Sequence, residues 1–185
     1  FEMKYCSLCG HKVVLRVPED DHRMRSVCTH CDHIHYENPR VITGTLPVWE
    51  GKILLCKRGI EPRLGYWTLP GGFLENGESL VDGALRETEE EACAQVIPTQ
   101  LISIISLPTV NQIHCFHLAD MVSPAFATTP ESTEIALVAL EDIPWDDIAF
   151  KTVKKTLEHY CAFYDQDRIP LLETSITPPP RPAVA

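Results

Sequence analysis

The first 36 residues cannot fold on apolar burial alone. Short β-type runs such as HKVVLRV sit among polar and charged residues, with few large side chains to bury. A segment this small needs a staple. It holds Cys6, Cys9, Cys28 and Cys31, two Cys-x2-Cys pairs separated by eighteen residues. The other four cysteines, Cys56, Cys93, Cys115 and Cys161, are scattered through apolar stretches and are expected to be buried free thiols. That placement disfavours a disulfide framework and points to a reducing compartment. The cytoplasm is expected; because the chain opens on Phe1 and not on Met, a trimmed leader would make an organelle the second choice.

Two tight turns, each presenting two sulfurs, are what a tetrahedral Zn²⁺ site requires, and the spacing matches a four-thiolate zinc ribbon over residues 1–36. His11, His30, His33 and His35 then lie outside a filled ligand shell, as solvated or neighbouring groups. Ribbons can bind nucleic acid, but Lys4, Lys12, Arg16, Arg23 and Arg25 are matched by Glu2, Glu19, Asp20, Asp21 and Asp32. There is no basic patch, so a structural or dimer-contact role is expected. The whole chain carries 16 basic against 26 acidic residues, a formal charge of −10. It is poorly suited to coating nucleic acid or an anionic membrane, and an anionic ligand would need cations. No apolar run is long enough to span a bilayer.

Residues 37–165 are periodic. RVITGTLPVW and KILLCKRG read as strands joined by a Glu-Gly turn. EPRLGYWTLPGGFLENGE, rich in Gly and Pro, reads as an ordered loop. From Ser79 the pattern becomes helical, with Val81, Ala84, Leu85, Thr88 and Ala92 on one stripe. QLISIISL, QIHCFHLADMV and EIALVAL read as strands. DIPWDDIAFKTVKKTLEHYCAFY turns and then becomes an amphipathic helix. Residues 166–185, ending in TSITPPPRPAVA, are expected to be a flexible Pro-rich tail.

ALRETEEEAC, residues 84–93, crowds Glu87, Glu89, Glu90 and Glu91 near a helix C-terminus. Glu87, Glu90 and Glu91 share one face at i, i+3 and i+4. Like charges at that spacing each cost about 0.2–0.5 kcal/mol, and the helix dipole adds to the repulsion. Three carboxylates on one face suit Mg²⁺ or Mn²⁺, hard ions that bridge to phosphate.

The wider pattern carries a resemblance. Gly72, five residues, Glu78, seven residues, Arg86-Glu87, then Glu90-Glu91 resembles the Nudix box of the Nudix hydrolase superfamily. The resemblance implies an α/β/α sandwich with a mixed sheet. It implies that Glu87, Glu90 and Glu91 bind the divalent metal and that Arg86 orients a box glutamate. Glu78 would brace the loop or bind an outer metal, and the Gly72 backbone would approach metal or phosphate. Glu89 points away and is solvated. Cys93 stands where the family has Gly, and Thr88 and Ala94 stand where it has larger apolar residues.

The reaction implied is attack of water on a pyrophosphate. The base would be Glu91, or Glu131 or Glu134 of the PESTE segment. Arg58 is a candidate phosphate contact, and Trp67 and Phe73 are expected in the core. A ribbon followed by a Nudix domain resembles the NADH pyrophosphatases and a shorter group acting on ADP-ribose and FAD. The former carry an SQPWPFP-type array and a domain ahead of the ribbon; neither stands in this sequence, which has SIISLPTVNQ. The stretch from KYCSLCG to IPWDDIAF resembles the shorter group, and Pro108 agrees with it. The expected activity is hydrolysis of ADP-ribose or FAD, releasing AMP, by a homodimer. NADH, a capped RNA or a modified nucleotide as substrate, or a non-catalytic nucleotide sensor, are the alternatives.

Overall fold

The computed structural model describes residues 3–177 and divides between Asn38 and Pro39 into two compact units, two residues past the boundary expected from the sequence. In the first, β1 (Val13–Arg16), β2 (Arg25–Cys28) and β3 (Ile34–His35) form a small antiparallel sheet in that order. Its interior is little more than Cys6, Val27 and Cys28, while Leu8, Leu15 and Met24 stay exposed. The four-thiol arrangement expected from the sequence is in place. Sγ of Cys9 lies 3.4 Å from those of Cys28 and Cys31, Sγ of Cys6 and Cys31 are 3.8 Å apart, and all four sulfurs fall within 4.8 Å of one another. A tetrahedron of ~2.3 Å Zn–S bonds has edges of about 3.8 Å, so the four thiols fit one zinc. His11 and His30 stack 3.9 Å apart beside it. His35, on β3, is buried, so of the two expected readings it is a neighbouring group and not a solvated one.

The second unit is built on β4 (Arg40–Trp49), β5 (Lys52–Arg58), β6 (Trp67–Thr68), β7 (Gly71–Phe73), α1 (Leu80–Ala92), β8 (Val96–Leu107), β9 (Gln112–Met121), β10 (Ser132–Val138), α2 (Lys151–Phe163) and β11 (Leu172–Ser175). The principal sheet runs β10-β5-β4-β9-β8-β11, with β4–β9 and β8–β11 parallel and the remaining pairs antiparallel. It is the mixed sheet expected. Glu50 and Gly51, at φ +47° and +77°, make the hairpin turn between β4 and β5.

That hairpin splays. β4 and β5 pair only at Val48–Ile53 and Trp49–Lys52, and Pro47, which has no N–H, stands where the ladder stops. The loop expected at 61–78 contributes β6, which pairs with β5, and β7, which pairs with β4, filling the wedge. Gly71 and Gly72 thus lie inside the sheet, not on a free loop.

Alternate side chains of β5 go to opposite layers. Ile53 and Leu55 join Val153, Leu157 and Tyr160 of α2, whereas Leu54 and Cys56 join Ala92 of α1. Both faces are covered, which is why KILLC is continuously apolar. The flexible tail expected from residue 166 is corrected over the described residues. Ile169 is buried, β11 pairs in parallel with β8, and the N–H of Ile176 donates to Ser106 O at 2.9 Å. The open edge of β8 recruits these residues, and four residues are too short to show a strand period beside the prolines. Residues 178–185 lie outside the described range.

α1 starts on a reciprocal cap between Ser79 and Asp82. It ends on Cys93 at φ 49°, ψ 33°, a left-handed residue whose N–H donates to Glu89 O at 2.8 Å. This also corrects the expectation of a buried thiol: leaving the helix at that turn carries Cys93 into solvent, and Cys161 is only half-buried. Left-handed geometry costs a residue with a Cβ about 1 kcal/mol relative to glycine. Cys93→Gly should therefore raise stability by about 1 kcal/mol, a gain of roughly 3 °C in melting temperature; an unchanged or lower temperature would contradict this account of the helix exit.

Candidate active site

α1 sits unusually close to β4. A Cβ on Gly83 would lie 2.8 Å from the side chains of Leu74 and Thr43, so only glycine allows this approach. Thr43 Oγ1 donates to Leu80 O at 2.7 Å. Thr45 and Thr88 meet hydroxyl to hydroxyl at 2.7 Å, and Thr88 also donates to Ala84 O. The family's larger apolar residue at position 88 is thus replaced by a satisfied polar pair. With that face of α1 fixed, Glu87, Glu90 and Glu91 are carried towards β7.

There the backbone is bare. A Cβ at Gly72 would fall 2.5 Å from a carboxylate oxygen of Glu87, and the Gly71 N–H donates to Glu91 Oε2 at 3.0 Å. Arg86 uses all five of its N–H groups. Nε and Nη2 grip Glu78 at 2.6 and 3.0 Å, Nη1 reaches Glu87 at 2.8 Å and Glu90 at 3.0 Å, and Nη2 also donates to Phe73 O at 3.1 Å. Glu78, held below the usual carboxylate range by that guanidinium, also accepts from the Glu75 N–H at 3.0 Å. Arg86 stays cationic throughout. One hydrogen-bond network therefore ties the loop after β7 to the middle of α1.

The carboxylates remain under-neutralised. Burial raises the Glu91 pKa to about 7, against the Gly71 N–H, with the negative charges of Glu87 and Glu131 adding to the rise. Glu87 is raised for the same reason, opposed by Arg86. Carboxylate oxygens on one wall, a missing Cβ beside them and an Arg86 guanidinium with no N–H to spare are the hard donors a divalent cation takes, though among the described residues only the four thiols lie within one ion's reach of one another.

These groups line one cavity of about 800 Å³. It brings together Gly72, Arg86, Glu87, Glu90, Glu91, Arg58 and Glu131. Arg58 donates through Nε to Pro62 O at 2.7 Å and lies 5.0 Å from the Phe150 ring, and its other N–H groups have no protein acceptor among the described residues. Glu131 is pinned by its backbone, whose carbonyl accepts the Gly59 N–H at 2.7 Å. Gly59 itself has no room for a Cβ, which would meet Pro130 O at 2.5 Å.

Two expected residues fall elsewhere. Glu78 stands behind Arg86 and does not line the cavity. Glu134 is on β10, past a register shift, with its carboxylate 2.9 Å from Lys57 Nζ and away from the cavity. Trp67 packs on the core as expected, but Phe73 is 48% exposed at the cavity rim, since β7 ends at the loop mouth. Gln112, His114, Phe150, Lys151 and Thr152 also line the cavity. No local pattern announced them; they arrive through the β4–β9 register and the start of α2.

The family model described as Nudix N-terminal, a zinc ribbon, matches residues 4–37, and the one described as NUDIX domain matches residues 38–160. A crystal structure of a NUDIX hydrolase from Nitrosomonas europaea is similar at 44% identity and a TM-score of 0.91, across 94% of this chain and 99% of that one. An ADP-ribose pyrophosphatase of Methanocaldococcus jannaschii is 27% identical over 113 residues, 59% of this chain and 67% of its own length. A NAD-capped RNA hydrolase NudC of Pectobacterium atrosepticum is 26% identical over 119 residues, 63% of this chain and 43% of its own. The chain spans about half the length of the curated relatives it matches. On the matched models and the geometry together, the chain belongs to the Nudix hydrolases, with a zinc-ribbon module ahead of its NUDIX domain.

Proposed function

We propose that this enzyme hydrolyses the pyrophosphate of ADP-ribose or FAD, releasing AMP with ribose 5-phosphate or FMN. The observation that carries the reading is the convergence of Glu87, Glu90, Glu91 and Glu131 at one end of the cavity, with Arg86 already saturated. Glu87, Glu90 and Glu91 would hold Mg²⁺ or Mn²⁺, which when bound would polarise the phosphate oxygens and acidify the attacking water. The choice of substrate is supported by the ADP-ribose pyrophosphatase among the relatives and by the absence of a basic ribbon face. We read the assembly as a homodimer from resemblance, and the free thiols suit the cytoplasm.

The protein's own groups have distinct tasks. Arg86 fixes two carboxylates, and the Gly71 N–H turns Glu91 into the cavity. Arg58 offers its terminal N–H groups to a phosphate, preorganised by Pro62 and Phe150. Water attacks one phosphorus, the bridging P–O bond breaks, and Glu131 takes the water's proton. Glu131 suits this role because it faces the cavity and its side chain has no hydrogen-bond partner among the described residues. Glu134 is neutralised by Lys57.

Glu131→Gln should lower kcat on ADP-ribose or FAD by about 100-fold in saturating Mg²⁺ or Mn²⁺, with Glu134→Gln within about twofold of wild type. Equal effects of the two substitutions would overturn the assignment of the base. A side-by-side panel of ADP-ribose, FAD, NADH and NAD-capped RNA tests the substrate reading, which fails if the last two are turned over best.

Glu91 also links stability to pH in protein freed of the catalytic metal but retaining its zinc. Its folded pKa of about 7 lies above the ordinary 4.5. The folded state therefore keeps a proton that the unfolded chain gives up, and this stabilisation is lost as pH rises towards and through 7. Glu91→Gln, which resembles the protonated group, should gain stability over wild type by up to about 3 kcal/mol between pH 5 and pH 8. Denaturant melts that keep a constant difference across that range would contradict the burial argument.

A further inference from the structure

The cavity has a second end that the carboxylates do not explain. On the sheet face covered by α2 its wall is apolar, formed by Ile42, Leu107, Val110, Phe116 and Ile176. Phe73 closes the rim, half exposed, with the Arg40 guanidinium 4.9 Å from its ring centre. Two polar side chains interrupt this wall. The β4–β9 register sets His114 beside Ile42, and the β8–β9 register sets Gln112 beside Leu107.

His114 is held from both sides, with Nδ1 2.9 Å from Thr152 Oγ1 and Nε2 3.2 Å from Gln112 Oε1. Burial keeps its pKa down at about 4, so the ring is neutral, with one donor and one acceptor nitrogen. Gln112 Oε1 can only accept, so Nε2 carries the hydrogen and Nδ1 accepts from the Thr152 hydroxyl. The relay therefore has a single direction. It fixes the Gln112 amide and leaves the two N–H donors of its Nε2 without a partner among the described residues, at the cavity wall.

We propose that this end of the cavity receives a planar heteroaromatic ring of the substrate, packed against Phe73, with an acceptor atom of the ring read by the Gln112 side-chain amide. Gln112 is a specificity-determining contact, and His114 with Thr152 are positioning residues. The inference rests on the pyrophosphatase reading for the other end of the same ligand. Adenine and isoalloxazine both supply a flat face and in-plane acceptors, and binding of the separate products tells them apart.

The test titrates the zinc-containing 185-residue chain with AMP, FMN and ribose 5-phosphate, three monophosphates that differ in the ring. Wild type should bind AMP or FMN at least about tenfold more tightly than ribose 5-phosphate. Gln112→Leu and Gln112→Glu should each remove about that factor for the ring-bearing ligand and leave ribose 5-phosphate unmoved. With substrate, Gln112→Leu should raise KM more than it lowers kcat. His114→Phe should reproduce part of the loss and add nothing to Gln112→Leu in the double variant. Whichever of AMP and FMN shows the Gln112-dependent gain identifies the ring.

Equal binding of all three ligands, or binding of none, would overturn the proposal, as would a ring preference that survives both Gln112 substitutions. Additive effects of His114→Phe and Gln112→Leu would remove the positioning role. These titrations involve no hydrolysis, so a protein that turns over no pyrophosphate but binds the ring through Gln112 defeats the catalytic reading alone.

Discussion

A single guanidinium organises the catalytic end of this molecule. Arg86 spends every N–H it has on Glu78, Glu87, Glu90 and the Phe73 carbonyl. Without it, two carboxylates on one face of α1 would repel each other and the loop after β7 would lose its anchor. With it, the charge is arranged but not cancelled. Glu91, which Arg86 does not reach, is left buried and poised near neutrality. The carboxylate wall is short of positive charge, which favours a divalent ion there.

The sheet serves that arrangement. The β4–β5 hairpin opens early and lets β6 and β7 enter the gap, so that Gly71 and Gly72 meet the carboxylates at backbone distance. Glycines at 44, 71, 72 and 83 are places where a Cβ would collide with a neighbour, and together they set how closely α1, β4 and β7 pack. The same sheet carries the cavity over to the α2 face, where its character turns apolar. One end is lined by carboxylates and the other by apolar side chains around Gln112 and His114.

What the sequence made legible was local. The ribbon cysteines and the box glutamates are close in sequence, at spacings that by themselves place the side chains together. The mixed α/β/α architecture followed from the box. What escaped depends on register. Glu131 and Glu134 are three residues apart, and the irregular pairing between Ser132 and Glu134 decides which faces the cavity. Gln112 and His114 become neighbours of the site only because β9 lies parallel to β4. β11 was hidden because four residues following a turn carry no clear period, and the edge they complete is more than sixty residues away in the chain. Phe73 read as core because its pattern is apolar, yet the loop mouth leaves it at the rim.

The account stands or falls on whether Glu87, Glu90 and Glu91 act together as a cation site. Electron paramagnetic resonance of Mn²⁺ titrated into zinc-containing protein measures this directly. Wild type should sequester Mn²⁺, and the double variant Glu87→Gln, Glu91→Gln should lose that binding while melting as a folded protein. Binding of Mn²⁺ by the double variant with wild-type affinity would contradict the account.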